Sequence, residues 1–288
     1  MSAPEDCRTI GPLMMASSAL FFAFTALFVR LGSESTPVGM IVLVRFVLMS
    51  AALVALRATG AISVRPRNKR LLVYRSVCAA ASGVFFFYSV ATISIAEAII
   101  LKYTYPVFAV TVSAFVYGER TRPVVLAVLA MSLAGVVVMM NPSHFHPSIG
   151  YLWGLLNGLA AGIAVAFLRQ LRLTDDSATV LYWYSLTGVV ISLPFIAQGL
   201  RFTGVEGTAY TLLAALSGTL GQFAIVFGFK YIKTGRGSVI MTLEVVLSSL
   251  LAFLFLRQIP GPFQIAGGAL IIAGALAVSG EGAVRREA

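Results

Sequence analysis

Ten apolar stretches, each about 20 residues long, recur along this 288-residue chain and leave little sequence between them. They fall near 11–30, 37–57, 71–93, 95–117, 123–140, 149–168, 178–197, 208–228, 236–256 and 262–280. That is the length an α-helix needs to cross a hydrocarbon layer of roughly 30 Å. A segment in lipid must satisfy its own backbone N–H and C=O groups, and a helix does so internally. The expected fold class is therefore an all-α polytopic membrane protein with ten transmembrane helices. A chain that is 59% hydrophobic and 11% charged cannot be an ordinary soluble domain.

The 21 basic residues divide unevenly between the two sides of these spans. One side carries both termini and the even-numbered loops. It holds Arg8, Arg57, Arg65, Arg67, Lys69, Arg70, Arg75, Arg120, Arg122, Arg169, Arg172, Lys230, Lys233, Arg236, Arg285 and Arg286. The other side holds Arg30, Arg201 and Arg257, while Arg45 and Lys102 fall inside spans. The positive-inside rule then puts both termini in the cytoplasm, in a multi-pass protein of the cell's inner (plasma) membrane. The net charge of +10 marks the face that meets anionic lipid headgroups, so the implied partner is the lipid bilayer. No basic segment is large enough for a nucleic-acid-binding domain.

Several other classes of activity lose support at the same level. Glu5 and Asp6 precede the first span without a basic n-region, so no cleaved signal is expected. Cys7 and Cys78 give no disulfide framework, and His144 and His146 lack a further ligand nearby, so no metal is expected. A phosphate-cradling G-x-x-x-x-G-K-[ST] loop is absent, so this chain does not hydrolyse ATP.

A constant shift of 139 residues aligns the two halves. Gly11 falls on Gly150, Phe28 on Phe167, Arg30 on Arg169, Pro123 on Pro262 and Ala134–Gly135 on Ala273–Gly274. The common register predicts a first five-helix repeat over 1–140 and a second over 141–288. Five is odd, so equivalent helices would cross in opposite directions, an architecture suited to alternating access.

The run AIILKYTYPVFAVTVSAFVYGE from Ala98, the closing LAGVVVM, the stretch MTLEVVLSSLLAFLFLRQ and the following GGALIIAGAL together resemble the drug/metabolite transporter superfamily. Specifically, they resemble its ten-span members built from two EamA-type repeats. The Lys-Tyr-Thr-Tyr-Pro run is most similar to the YddG-type aromatic amino-acid exporters. Val245, where many such repeats have proline, and Gln258, in place of an acidic residue, depart from the pattern. The resemblance implies a secondary transporter exporting small organic solutes, aromatic or other bulky amino acids foremost. It implies no cofactor and no obligatory protein partner. A multidrug or metabolite exporter is the alternative within the class; a channel or a membrane-embedded enzyme lies outside it. The enzyme reading lacks H-E-x-x-H, paired intramembrane aspartates and a Ser-His pair at membrane depth.

Candidate site residues are the polar and aromatic groups at membrane depth. Arg45, Lys102 and Glu244 form a candidate intramembrane charge network, since a charge at mid-bilayer costs at least about 2.5–3.5 kcal/mol and needs a cavity or a partner. Arg45 and Glu244 both fall near midspan, as an ion pair or as separate hydrogen-bonded networks. Pro106 should kink the fourth span and free the carbonyl of Lys102. The expected substrate-binding set is Ser82, Phe86, Lys102, Tyr103, Tyr105, Asn157, Gln222 and Glu244, with rings for an apolar side chain and polar groups for a zwitterion's ends. Asn157 and Gln222 have interhelical bonding as their plainer role. Gly154, Gly158 and Gly162 read as a packing groove, and Trp153, Tyr182, Trp183, Tyr184 and Tyr210 as interfacial belts.

Overall fold

A computed structural model describes residues 5–117, 130–131, 134–138, 148–171, 174–199, 204–231 and 240–284. Its elements are helices α1 Glu5–Gly32, α2 Val38–Ala58, α3 Lys69–Thr92, α4 Ile95–Lys102, α5 Tyr105–Tyr117, α6 Ile149–Leu171, α7 Ser177–Ser192, α8 Gly204–Tyr231, α9 Leu243–Leu256 and α10 Pro262–Val284. A 3₁₀ turn, Leu193–Gln198, follows α7, where Pro194 has no N–H to continue the helix. Strands are absent among the described residues.

Six of these helices contain segments long and apolar enough to cross a membrane: Ile10–Gly32, Val38–Ala58, Lys69–Thr92, Ile149–Leu168, Ser177–Phe195 and Gly204–Gly228. Leu243–Leu256 and Pro262–Ala273 are shorter apolar helices. Most of the expected fifth span, with His144 and His146, lies outside the described residues. Side chains such as Leu13, Tyr74, Phe115, Val190 and Phe255 stand exposed on the perimeter, as a hydrocarbon solvent allows.

Caps set the helix starts. Pro37 precedes α2, the Asn68 side chain accepts the Leu71 N–H at α3, and Asp176 accepts the Thr179 N–H at α7. Ser94 and Glu97 form a reciprocal capping box that opens α4. At the far end of α3, Arg30 of α1 donates to the carbonyls of Ala91 at 2.6 Å and Val90 at 3.4 Å, which the helix itself leaves unpaired.

Packing pairs helices of one half with helices of the other. α1 lies on α8 and α9, while α6, its counterpart by the 139-residue shift, lies on α3 and on α4–α5. α2 packs on α8 and α7 on α3, and α2 meets α7 directly. Exchanging the halves maps this pattern onto itself. The largest core cluster, including Phe46, Met49, Val84, Phe87, Ile99, Leu181 and Ile271, lies between them.

One expectation about these elements needs correction. The fourth span is not a single helix kinked at Pro106. It breaks at Tyr103–Thr104 into α4 and α5, and Pro106 sits in the first turn of the second piece. The pyrrolidine ring would clash with the Lys102 carbonyl in a continuous helix, but it is tolerated in a first turn.

Candidate functional site

Because α4 stops at Lys102, the ammonium of that residue is carried on a helix C-terminus within the bundle. Glu244 lies in the first turn of α9. Each charge therefore has the sign that its own helix terminus favours. They meet in a two-pronged ion pair, with Lys102 Nζ 2.7 Å from Glu244 Oε1 and 2.8 Å from Oε2. Glu244 is fully buried, whereas the Lys102 side chain keeps 21% exposure. The ammonium is thus held within the bundle rather than drawn along its stem to a span end.

Aromatic rings enclose the pair. Lys102 Nζ lies 4.8 Å from the Phe22 ring centroid and 5.1 Å from that of Phe86, distances at which a ring face attracts a cation. The Tyr103 hydroxyl donates to the carbonyl of Met241 and stands 3.5 Å from Glu244 Oε2. It fixes the start of α9 against the end of α4. The Tyr105 ring is 6.3 Å from the Tyr103 ring. One ion pair thus gathers α1, α3, α4 and α9 from both halves.

Other candidates lie apart from it. Ser82 donates to Asn157 Oδ1 at 2.7 Å, which ties α3 to α6. The Asn157 Nδ2 group is buried without a partner. Gln222 is half-buried on α8, one residue from the glycine on which Phe22 packs, and no described contact joins it to the pair. Phe85 stacks on Trp153 at 5.5 Å and Ser89 donates to the Gly150 carbonyl, so both serve the α3–α6 contact.

Arg45 does not pair with Glu244. Its guanidinium lies 5.3 Å from the ring centroids of both Phe46 and Phe87 and meets no carboxylate among the described residues. Glu244 takes the Lys102 ammonium instead.

Five residues take places here that the sequence did not indicate. Phe22 resembles any apolar residue until the fold places it over Lys102. Arg75, expected at the cytoplasmic face, is 5% exposed, with its guanidinium 5.4 Å from the Tyr184 ring centroid. Tyr184 itself is core rather than interfacial, edge-on to Phe46. Glu97 takes the Ser94 N–H and hydroxyl on Oε2, and the Tyr151 hydroxyl and Gln264 amide on Oε1. Its S-x-x-E spacing from Ser94 was a legible signal of a cap. Asp175 accepts the N–H groups of Arg67 at 2.8 Å and Asn68 at 3.2 Å, joining the 59–68 loop to the α6–α7 turn. Burial pushes its carboxyl up, but the Thr174 hydroxyl, these two N–H groups and the Arg67 charge outweigh that and hold it below the ordinary aspartate value.

The EamA-like transporter family description matches residues 9–141 and again 148–280. The pseudopaline exporter CntI of Pseudomonas aeruginosa is 25% identical over 270 residues, covering 93% of this chain and 95% of that protein. Human solute carrier family 35 member G1 is 22% identical, covering 92% and 77%. The S-adenosylmethionine uptake transporter of Rickettsia prowazekii is 21% identical, covering 64% and 63%. A crystal structure of a protein 22% identical superposes with a TM-score of 0.57 over 96% of this chain and 99% of that one, which shows a shared fold.

Proposed function

Because the chain belongs to the EamA-like transporter family, we propose that it is a secondary carrier exporting small organic solutes, aromatic or other bulky amino acids foremost. It works by alternating access to a central cavity between two inverted repeats, 1–140 and 141–288. Both termini lie in the cytoplasm, as the sidedness of its basic residues requires.

The observation that carries the substrate class is the Lys102–Glu244 pair beneath its rings. A zwitterion can trade partners with it, its carboxylate taking Lys102 and its ammonium taking Glu244. No bare charge is then left in a low-dielectric interior, where an unpaired ion is costly. Phe22, Phe86, Tyr103 and Tyr105 offer ring faces to the substrate's side chain. Aliphatic or polar side chains gain less from the same surroundings.

Relatives named for pseudopaline export and S-adenosylmethionine uptake favour a second reading, transport of larger metabolites through the same cavity. Counterflow in proteoliposomes separates the two. Saturable, trans-stimulated uptake of phenylalanine or tryptophan, exceeding that of threonine, is the expected result. Absence of amino-acid flux in protein that moves larger solutes selects the second reading. Flux that never saturates and shows no trans-stimulation indicates a channel.

A further inference from the structure

Arg45 and Arg75 are buried cations for which the described residues supply no anion. Each side chain is 5% exposed, and the described residues contain a single ion pair, that of Lys102 with Glu244. Aromatic rings lie within cation–π distance of both guanidiniums, Phe46 and Phe87 at 5.3 Å from Arg45 and Tyr184 at 5.4 Å from Arg75. The N–H donors, however, lie in the guanidinium plane, and ring faces leave them unsatisfied. Among the described residues, Arg45 Nε, which lies towards Gly218 of α8, and Arg75 Nε and Nη1 are buried without a partner.

Both guanidiniums border Tyr184 of α7. The Arg75 guanidinium lies 5.4 Å from its ring centroid, and Arg45 approaches its hydroxyl end at Gly83 of α3. A Cβ built on Gly83 would stand 3.2 Å from Arg45 Nη1 and 3.7 Å from the Tyr184 hydroxyl, so both atoms pack against the bare face of this glycine. Two buried positive charges, unfilled N–H groups, a neighbouring hydroxyl able to donate and no carboxylate among the described residues suit a bound anion. The surroundings are closely packed and Tyr184 is 3% exposed, which suits a small ion rather than an organic solute.

We propose that the compartment between α2, α3 and α7, bordered by Arg45, Arg75 and Tyr184, binds a small monovalent anion, supplied as free chloride. It is separate from the Lys102–Glu244 pair, and its occupancy neutralises the buried guanidiniums and stabilises the fold.

The test is a thermal-unfolding titration of the detergent-purified full chain in sodium gluconate, replaced by sodium chloride or bromide at constant ionic strength with no organic substrate present. Wild type should gain about 3–6 °C with a saturable dependence on halide. An Arg45→Gln, Arg75→Gln double variant should be insensitive to it. Equal melting in all three salts overturns the proposal, as does a halide effect retained by the variant. A rise produced by phenylalanine in gluconate, with none from chloride, assigns the charge to a substrate carboxylate and overturns the halide site. Should the variant not fold, bromide anomalous scattering from wild-type crystals decides: a peak beside Tyr184 supports the site, and no peak there removes it.

Discussion

Glu244 is fully buried and depends on one ammonium, while Lys102 retains 21% exposure, so the two sides of the pair are unequal. Removing a partner from a buried pair leaves an uncompensated charge, whereas replacing both with apolar groups is often nearly neutral. Glu244→Gln should therefore lower unfolding stability by about 3–5 kcal/mol. Lys102→Met combined with Glu244→Leu should recover most of that loss while abolishing transport. A double variant as unstable as the worse single would show that the pair does not carry the coupling. The rings are separable from the charges. Tyr105→Ala should reduce phenylalanine flux several-fold more than threonine flux, in line with aromatic contacts of about 0.5–1.5 kcal/mol. Equal loss for both substrates would assign Tyr105 a structural role.

At the scale of elements, α6 is shaped to receive the broken fourth span. Side chains added at Gly154, Gly158 and Gly162 would collide with Leu101, Thr104 and Phe108 in turn. That ridge of glycines lets the α4–α5 break lie close to the α6 backbone. Gly158→Val should destabilise the protein by about 1–3 kcal/mol through overpacking, read as a lower melting temperature. A neutral outcome would mean that the groove has slack. The loop before α3 is held differently, by Asp175. Its folded pKa is depressed, so its stabilisation is complete above the unfolded value of about 3.9 and is lost as pH falls through the lower folded value. Asp175→Asn should therefore cost about 1–2 kcal/mol at neutral pH, and the gap to wild type should close only below about pH 4. A gap that is constant with pH would deny the charge any part.

For the whole molecule, the two halves are bound at separate places by carboxylate hydrogen bonds. Glu97 of the first half receives Tyr151 and Gln264 of the second, and Asp175 of the second receives the backbone N–H groups of Arg67 and Asn68 of the first. In the proposed orientation, with both termini cytoplasmic, the Glu97 tie faces the outside and the Asp175 tie the cytoplasm. In a background with Cys7 and Cys78 changed to serine, Glu34→Cys should react with an impermeant maleimide on intact cells. Arg70→Cys should react only after permeabilisation. The reverse labelling would invert the whole orientation, and with it the sense in which the carrier faces the cell.

The all-helical character, apolar helices of membrane-crossing length and the doubling of the chain were legible in the sequence, because hydropathy acts locally on each segment. The sequence also marked Lys102, Glu244 and Pro106, since charge and proline at membrane depth are rare enough to stand out. It did not reveal which charge meets which. Arg45 and Lys102 are equally plausible partners for Glu244 until α4 ends at Lys102 and α9 begins beside it. Nor did it distinguish a buried Arg75 from a cytoplasmic one, because six residues from the start of α3 a long side chain can go either way. Tyr184 and Phe22 carried no signal at all. Pairing and burial arise from contacts between residues more than 100 positions apart, such as Lys102 with Glu244, and only the packing of one half against the other selects them.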